Sequence, residues 1–142
     1  MNEIVIPYHL VVPTLISLIA IMIIISKRKI LFSTNKRKRI WISISVFCVV
    51  YTLIVGIAML NDISCQLELN RFDLNNDGIF SGTEITKEQG KAMSRLINDT
   101  GRNFSFITGL IFSLIISTPF YWIVLFFEKL KGKHNNYTQH TV

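Results

Sequence analysis

Oxygen-bearing side chains crowd twelve residues, among them Asp73, Asn75, Asp77, Ser81 and Glu84. Carboxylate, amide and hydroxyl oxygens are hard donors, and so many of them in one short stretch suit a hard divalent cation. Calcium takes about six to eight oxygens at about 2.3–2.6 Å, and this spacing wraps that many around one point. Gly78, midway along the stretch, is the residue type that lets a chain turn sharply with φ > 0. Asn, Asp, Gly and Ser also dominate ordinary surface turns, so a plain turn is the alternative reading. A turn alone has no use for Glu84 at the far end.

Asp73 to Glu84 read DLNNDGIFSGTE, and in this order they resemble the EF-hand calcium loop. The resemblance implies that Asp73, Asn75 and Asp77 stand at loop positions one, three and five, with Gly78 at the turning position six. It further implies that Ile79 offers its backbone carbonyl, that Ser81 acts directly or through a water, and that Glu84 closes the site with two oxygens. Phe80 fills the apolar slot between ligands, and Phe72 is the aromatic that commonly ends an EF-hand entering helix. EF-hands usually work in pairs, but Asp99 to Asn103 lacks the spacing and the closing Glu of a second loop. The loop therefore pairs with another copy, is covered by a partner, or stands alone with weaker affinity. The resemblance extends to the loop and its flanking helices and no further.

The elements that must hold this loop are apolar. The chain has 142 residues, 50% of them hydrophobic, and these are concentrated in three uncharged runs: Ile4 to Ser26, Ile40 to Asn61 and Asn103 to Phe127. A membrane-spanning helix needs roughly 20 such residues, and a soluble amphipathic helix would carry charges on one face. The first run follows an acidic Met1-Asn2-Glu3 and precedes Lys27-Arg28-Lys29 without a small-residue cleavage site, so it reads as a retained span rather than a signal peptide. The expected fold class is an all-α membrane protein: three transmembrane helices with one EF-hand-like helix-loop-helix inserted between the second and third. The expected segments are a first span within 1–26, a basic linker at 27–39, a second span at 40–61, the EF-hand segment at 62–102, a third span at 103–127 and a disordered tail at 128–142.

Charge sets the expected orientation. The linker holds Lys27, Arg28, Lys29, Lys36, Arg37, Lys38 and Arg39 without an acid, and the tail adds Lys129, Lys131 and Lys133 against Glu128. Between the second and third runs, seven acids face five bases. The positive-inside rule then assigns linker and tail to the cytoplasm, and the N-terminus and the EF-hand segment to the other side. The net charge of +6 flanks spans and lacks interleaved aromatics, which points to membrane lipids with anionic headgroups rather than nucleic acid. The richness in Ile, Lys and Asn fits an AT-rich bacterial genome and hence a cell membrane.

Nothing from Leu60 to Phe72 breaks a helix, so the second span is expected to continue outward as the entering helix, with Cys65, Leu69 and Phe72 on its apolar face. Ile85 is expected to open the apolar stripe of the exiting helix. Glu88, Gln89 and Gly90 interrupt that stripe, and Ala92, Met93, Leu96 and Ile97 resume it. Asn98-Asp99-Thr100-Gly101 signals a turn.

Ser105, Gly109, Ser113 and Ser117 form a small-residue stripe on the third span, and Cys48, Thr52 and Gly56 form another on the second. Such stripes let helices approach closely in lipid, within one chain or between copies. Cys48 and Cys65 are too far apart to pair. His9, His134 and His140 lack metal-ligand spacing, and no catalytic grouping or phosphate loop occurs, so an enzyme is not expected. The expectation is a small calcium-binding integral membrane protein whose loop responds to Ca2+ and couples it to the second and third helices, alone, as a homo-oligomer or with a membrane-protein partner. The alternatives are an accessory subunit of a larger complex with a permanently filled site, or an oligomeric calcium-regulated channel.

Overall fold

A computed structural model describes residues 4–139, with side chains for residues 4–130. Pro7 sets the start of the first long helix, α1 (Tyr8–Ser26): it lies just ahead of the helix with φ at −77°, where a missing N–H costs nothing. A one-turn helix, α2 (Arg28–Leu31), and a short bend lead into α3 (Asn35–Asn70), which is 36 residues long. The acidic loop follows and ends in a 3₁₀ turn at Gly82–Glu84. Then come α4 (Lys87–Ile97), the single turn α5 (Thr100–Asn103) and α6 (Ser105–Gln139). The described residues contain no strand, and three helical stretches are long and apolar enough to cross a membrane.

Two boundaries differ from the sequence expectation. Helix α3 begins at Asn35 rather than Ile40, so the basic Lys36 to Arg39 form its first turn instead of a linker. Helix α6 runs past Phe127 to Gln139, where an irregular tail was expected; no proline follows Pro119 to stop it. The side chains of the tail beyond Leu130, His134 among them, lie outside the described residues, as does His140 altogether.

Helix α3 is the centre of the bundle: α1 and α6 each pack on it and scarcely meet one another. Its buried residues are Cys48, Tyr51, Val55, Ala58, Asp62, Gln66 and Leu69, a three-four spacing that keeps one seam turned inward along the whole length. The two small-residue stripes divide the work. On the α1 side, Ser17 donates to the Cys48 carbonyl at 3.0 Å, Thr52 donates to Ser17 at 2.9 Å, and Gly56 lies opposite Thr14. On the α6 side, a Cβ built on Gly109 would stand 3.1 Å from Val55 Cγ2 and 3.2 Å from Ile54 Cγ2. Ser105, Ser113 and Ser117 are buried in line with it. Leu10, Tyr51, Val55 and Ala58 form the apolar core where the three helices converge, and Tyr51 donates to the Phe106 carbonyl at 3.3 Å.

At 36 residues α3 is about 54 Å long, far more than the roughly 30 Å of bilayer hydrocarbon. The excess at its C-terminal end carries the acidic loop beyond the apolar band. At the opposite end, Arg39 reaches Glu128 of α6 at 3.4 Å and lies over the Tyr121 ring, 5.7 Å from its centroid.

Gly109→Leu should therefore force α3 and α6 apart and lower stability by about 1–3 kcal/mol. Gly90→Ala, with nothing within 4 Å of the new methyl, should raise it by about 0.5–1 kcal/mol. Thermal unfolding of the detergent-solubilised variants checks both.

Candidate metal centre

The acidic loop starts where α3 runs out. Asp73 and Glu84, its first and last carboxylates, are each only 5% exposed. Glu84 turns back across the loop: Oε1 accepts from the N–H groups of Leu74 at 2.8 Å and Asn75 at 3.2 Å, and Oε2 accepts from that of Ser81 at 3.1 Å. Ser81 and Glu84 answer each other as a capping box around the 3₁₀ turn. Asp73 Oδ2 accepts from the Gly78 N–H at 2.9 Å, which folds the loop inward at its midpoint. Gly78 has φ at +80°, the left-handed conformation in which glycine is unstrained, as its place in the sequence requires.

The other candidate residues lie outward. Asp77 Oδ1 accepts from the Ile79 N–H at 2.7 Å, and its Oδ2 takes the Asn75 amide at 2.7 Å. Asn75 Oδ1 in turn accepts from the Asp77 N–H at 3.1 Å. Ile79 and Ser81 are exposed. Asp73 and Glu84 are thus turned inward while Asp77 is not, and among the described residues no three His, Cys, Asp or Glu side chains are grouped to hold a metal ion. Like charges repel at close range, so three carboxylates settle on backbone N–H groups when no counter-charge lies between them.

Two observations fit a cation nevertheless. Asp73 Oδ1 is buried with no hydrogen-bond partner, a costly state for a carboxylate oxygen that a cation would relieve. From Phe72 to Thr86 there are three acids and no Lys or Arg to neutralise them.

Helix α4 follows the loop. Thr86 caps it by accepting from the Gln89 N–H at 3.1 Å. Gln89 and Ala92 are its buried residues, whereas Ile85 stands before the helix and is 65% exposed. The expected apolar stripe from Ile85 is therefore displaced. Thr86, three residues ahead of Gln89, is the starting signal that the pattern of apolar residues concealed.

The base of the segment holds residues that the sequence reading treated only as boundaries. Arg102 and Asp62, with side chains 4% and 9% exposed, form an ion pair of 3.0 Å between Nε and Oδ1. Arg102 also donates to Cys65 Sγ at 3.2 Å and to the Leu96 carbonyl at the end of α4. Asp62 Oδ2 accepts from Gln66 at 2.8 Å, and the Gln66 amide clasps both the N–H and the carbonyl of Val5, each at 2.8 Å. Cys65, expected on the apolar face of the entering helix, is half-buried against that guanidinium and unpaired with Cys48.

The chain finds no match among protein-family models, curated proteins or solved structures.

Removing one partner of a buried pair strands the other charge. Arg102→Met should destabilise the protein by about 3–5 kcal/mol, and Asp62→Leu combined with Arg102→Met should recover most of the loss. Unfolding midpoints of the single and double variants decide it; equal loss in both would show that the pair acts by something other than charge.

Proposed function

We propose that this chain is a calcium-binding integral membrane protein whose acidic loop couples the ion to helices α3 and α6. The observation that carries the reading is Asp73 Oδ1, buried and without a partner at the head of the twelve-residue acidic stretch. Asp73, Asn75, Asp77, Ser81 and Glu84 would hold the ion through side-chain oxygens and Ile79 through its carbonyl. Calcium would supply the positive charge that these acids lack. Asp73 stands three residues beyond α3, and Glu84 stands two residues before the cap of α4. Drawing them together acts on the angle between those helices, and α5 and Arg102 carry α4 onward into α6. For this to regulate anything, two arrangements of the helices must differ in calcium affinity.

The basic residues at one end of the bundle and the acidic segment at the other support an orientation with the loop outside the cell and the C-terminus in the cytoplasm. Extracellular modules of this kind work near about 10⁻⁴ to 10⁻³ M calcium. A second reading, in which a permanently held ion staples a subunit of a larger complex, is favoured by the Ser81–Glu84 capping box and the Asp62–Arg102 pair, which already close the segment. The channel reading has less support, because the Ser105-Gly109-Ser113-Ser117 stripe is occupied by packing rather than free to line a pore.

Calorimetric titration of the purified protein with calcium tests the site. One ion per chain should bind, Asp73→Ala should abolish the heat, and Glu84→Gln should weaken affinity at least about tenfold by removing a charged ligand. Identical heats from wild type and Asp73→Ala would end the proposal. Spin-label distances between α3 and α4 that do not change across the binding range would favour the staple.

A further inference from the structure

The end of the bundle where α1 turns into α3 carries charge that the fold leaves unanswered. Lys27, Arg28, Lys29, Lys36, Arg37 and Lys38 are all exposed, and none forms an ion pair among the described residues. Arg39 is different, being held between Glu128 and the Tyr121 ring. That contact brings the basic turn to the side of α6, and Lys129, the residue after Glu128, forms no ion pair among the described residues. Both tryptophans of the chain, Trp41 and Trp122, lie near this contact in sequence, together with Tyr121. Trp and Tyr favour the level of lipid headgroups, which marks the depth at which Lys129 sits.

Beside Lys129 is an apolar groove of about 520 Å³, lined by Trp122, Ile123, Leu125, Phe126 and Phe127 with the lysine at its edge. Trp122, Phe126 and Phe127 are more than half exposed, so the bundle itself does not fill it. A groove with an apolar wall and a cation at one end suits a ligand that joins a hydrocarbon chain to an anion.

We propose that this groove holds an acyl chain of an anionic glycerophospholipid, with the lipid phosphate met by Lys129 at the same end of the bundle as the exposed bases of residues 27–38. The choice of an anionic lipid follows from the charges. A zwitterionic lipid fills the same apolar wall but gains little from a cluster of cations, whereas each base near an anionic headgroup adds to attraction. The site does not depend on calcium, because no residue of the acidic loop takes part in it.

The test uses the full chain reconstituted in bilayers, with Trp41→Phe making Trp122 the reporter. Brominated phosphatidylglycerol and brominated phosphatidylcholine are titrated in separately, and quenching of Trp122 is followed. Phosphatidylglycerol should reach half-maximal quenching at a several-fold lower mole fraction. Lys129→Gln should cut that preference about fivefold, the contribution of one base near the surface, and raised salt should weaken it further. If Trp41→Phe does not fold, the wild type reporting through both tryptophans should give the same order of lipids. Equal quenching by the two lipids overturns the proposal. So does a preference that survives Lys129→Gln, which would assign the attraction to the diffuse charge of the turn instead of the groove. Competition by soluble glycerophosphoglycerol as strong as that of the lipid would also overturn it, since the acyl chain would then contribute nothing.

Discussion

The pairing of Asp62 with Arg102 is the constraint on which the rest of the structure depends. Both charges are withdrawn from water at the place where the apolar helices give way to the acidic segment. Neither can be buried alone, because an unpaired ion in such a setting costs several kcal/mol. Their meeting therefore ties α5, just ahead of α6, back to the side of α3 two turns before α3 ends, and the intervening segment becomes a closed excursion. Gln66 extends the constraint to the N-terminal segment through both polar groups of Val5. The opposite end of the same helix pair is held by Arg39 and Glu128, so α3 and α6 are pinned at both ends. Between the pins, the Gly109 contact brings their backbones together.

The acidic loop inherits its position from that closure. Asp73 emerges from the end of α3 already buried, while Glu84 reaches back to the first N–H groups of the loop. Among the buried side-chain oxygens of the loop, Asp73 Oδ1 alone lacks a hydrogen-bond partner. A segment that leaves the end of α3 and is tied back to α3 through Arg102, just ahead of α6, is mechanically continuous with the bundle. Under the function proposed above, a cation bound in the loop would act on helix packing rather than on a free tether, and reciprocity would require that changes in packing alter its affinity.

Much of this was legible in the residues. Runs without a single charge announce the three long helices, and the absence of Pro or Gly from Leu60 to Phe72 agrees with α3 continuing to Asn70. The four-residue repeat through Gly109 marks the close face of α6. What escaped was non-local. Asp62 and Arg102 flank the apolar runs and read as their borders, and no local pattern links two residues separated by the whole acidic segment. The clasp of Gln66 on Val5 is equally invisible, since one partner is backbone. Continuing the three-four seam of α3 beyond Ala58 would have placed Asp62, Gln66 and Leu69 on the buried side, a signal masked by the change from apolar to polar residues. Ile85 misled for the opposite reason: it is apolar and in register, yet Thr86 starts the helix one residue later and leaves it exposed.

Unfolding of the whole helical bundle as a function of calcium tests most directly whether the loop and the bundle act as one unit. The melting midpoint of the helical signal should rise steadily with calcium above the dissociation constant, by an amount equivalent to about 2.7 kcal/mol at a hundredfold excess over it, with no rise in Asp73→Ala. A midpoint that stays fixed in the wild type across millimolar calcium would contradict the account.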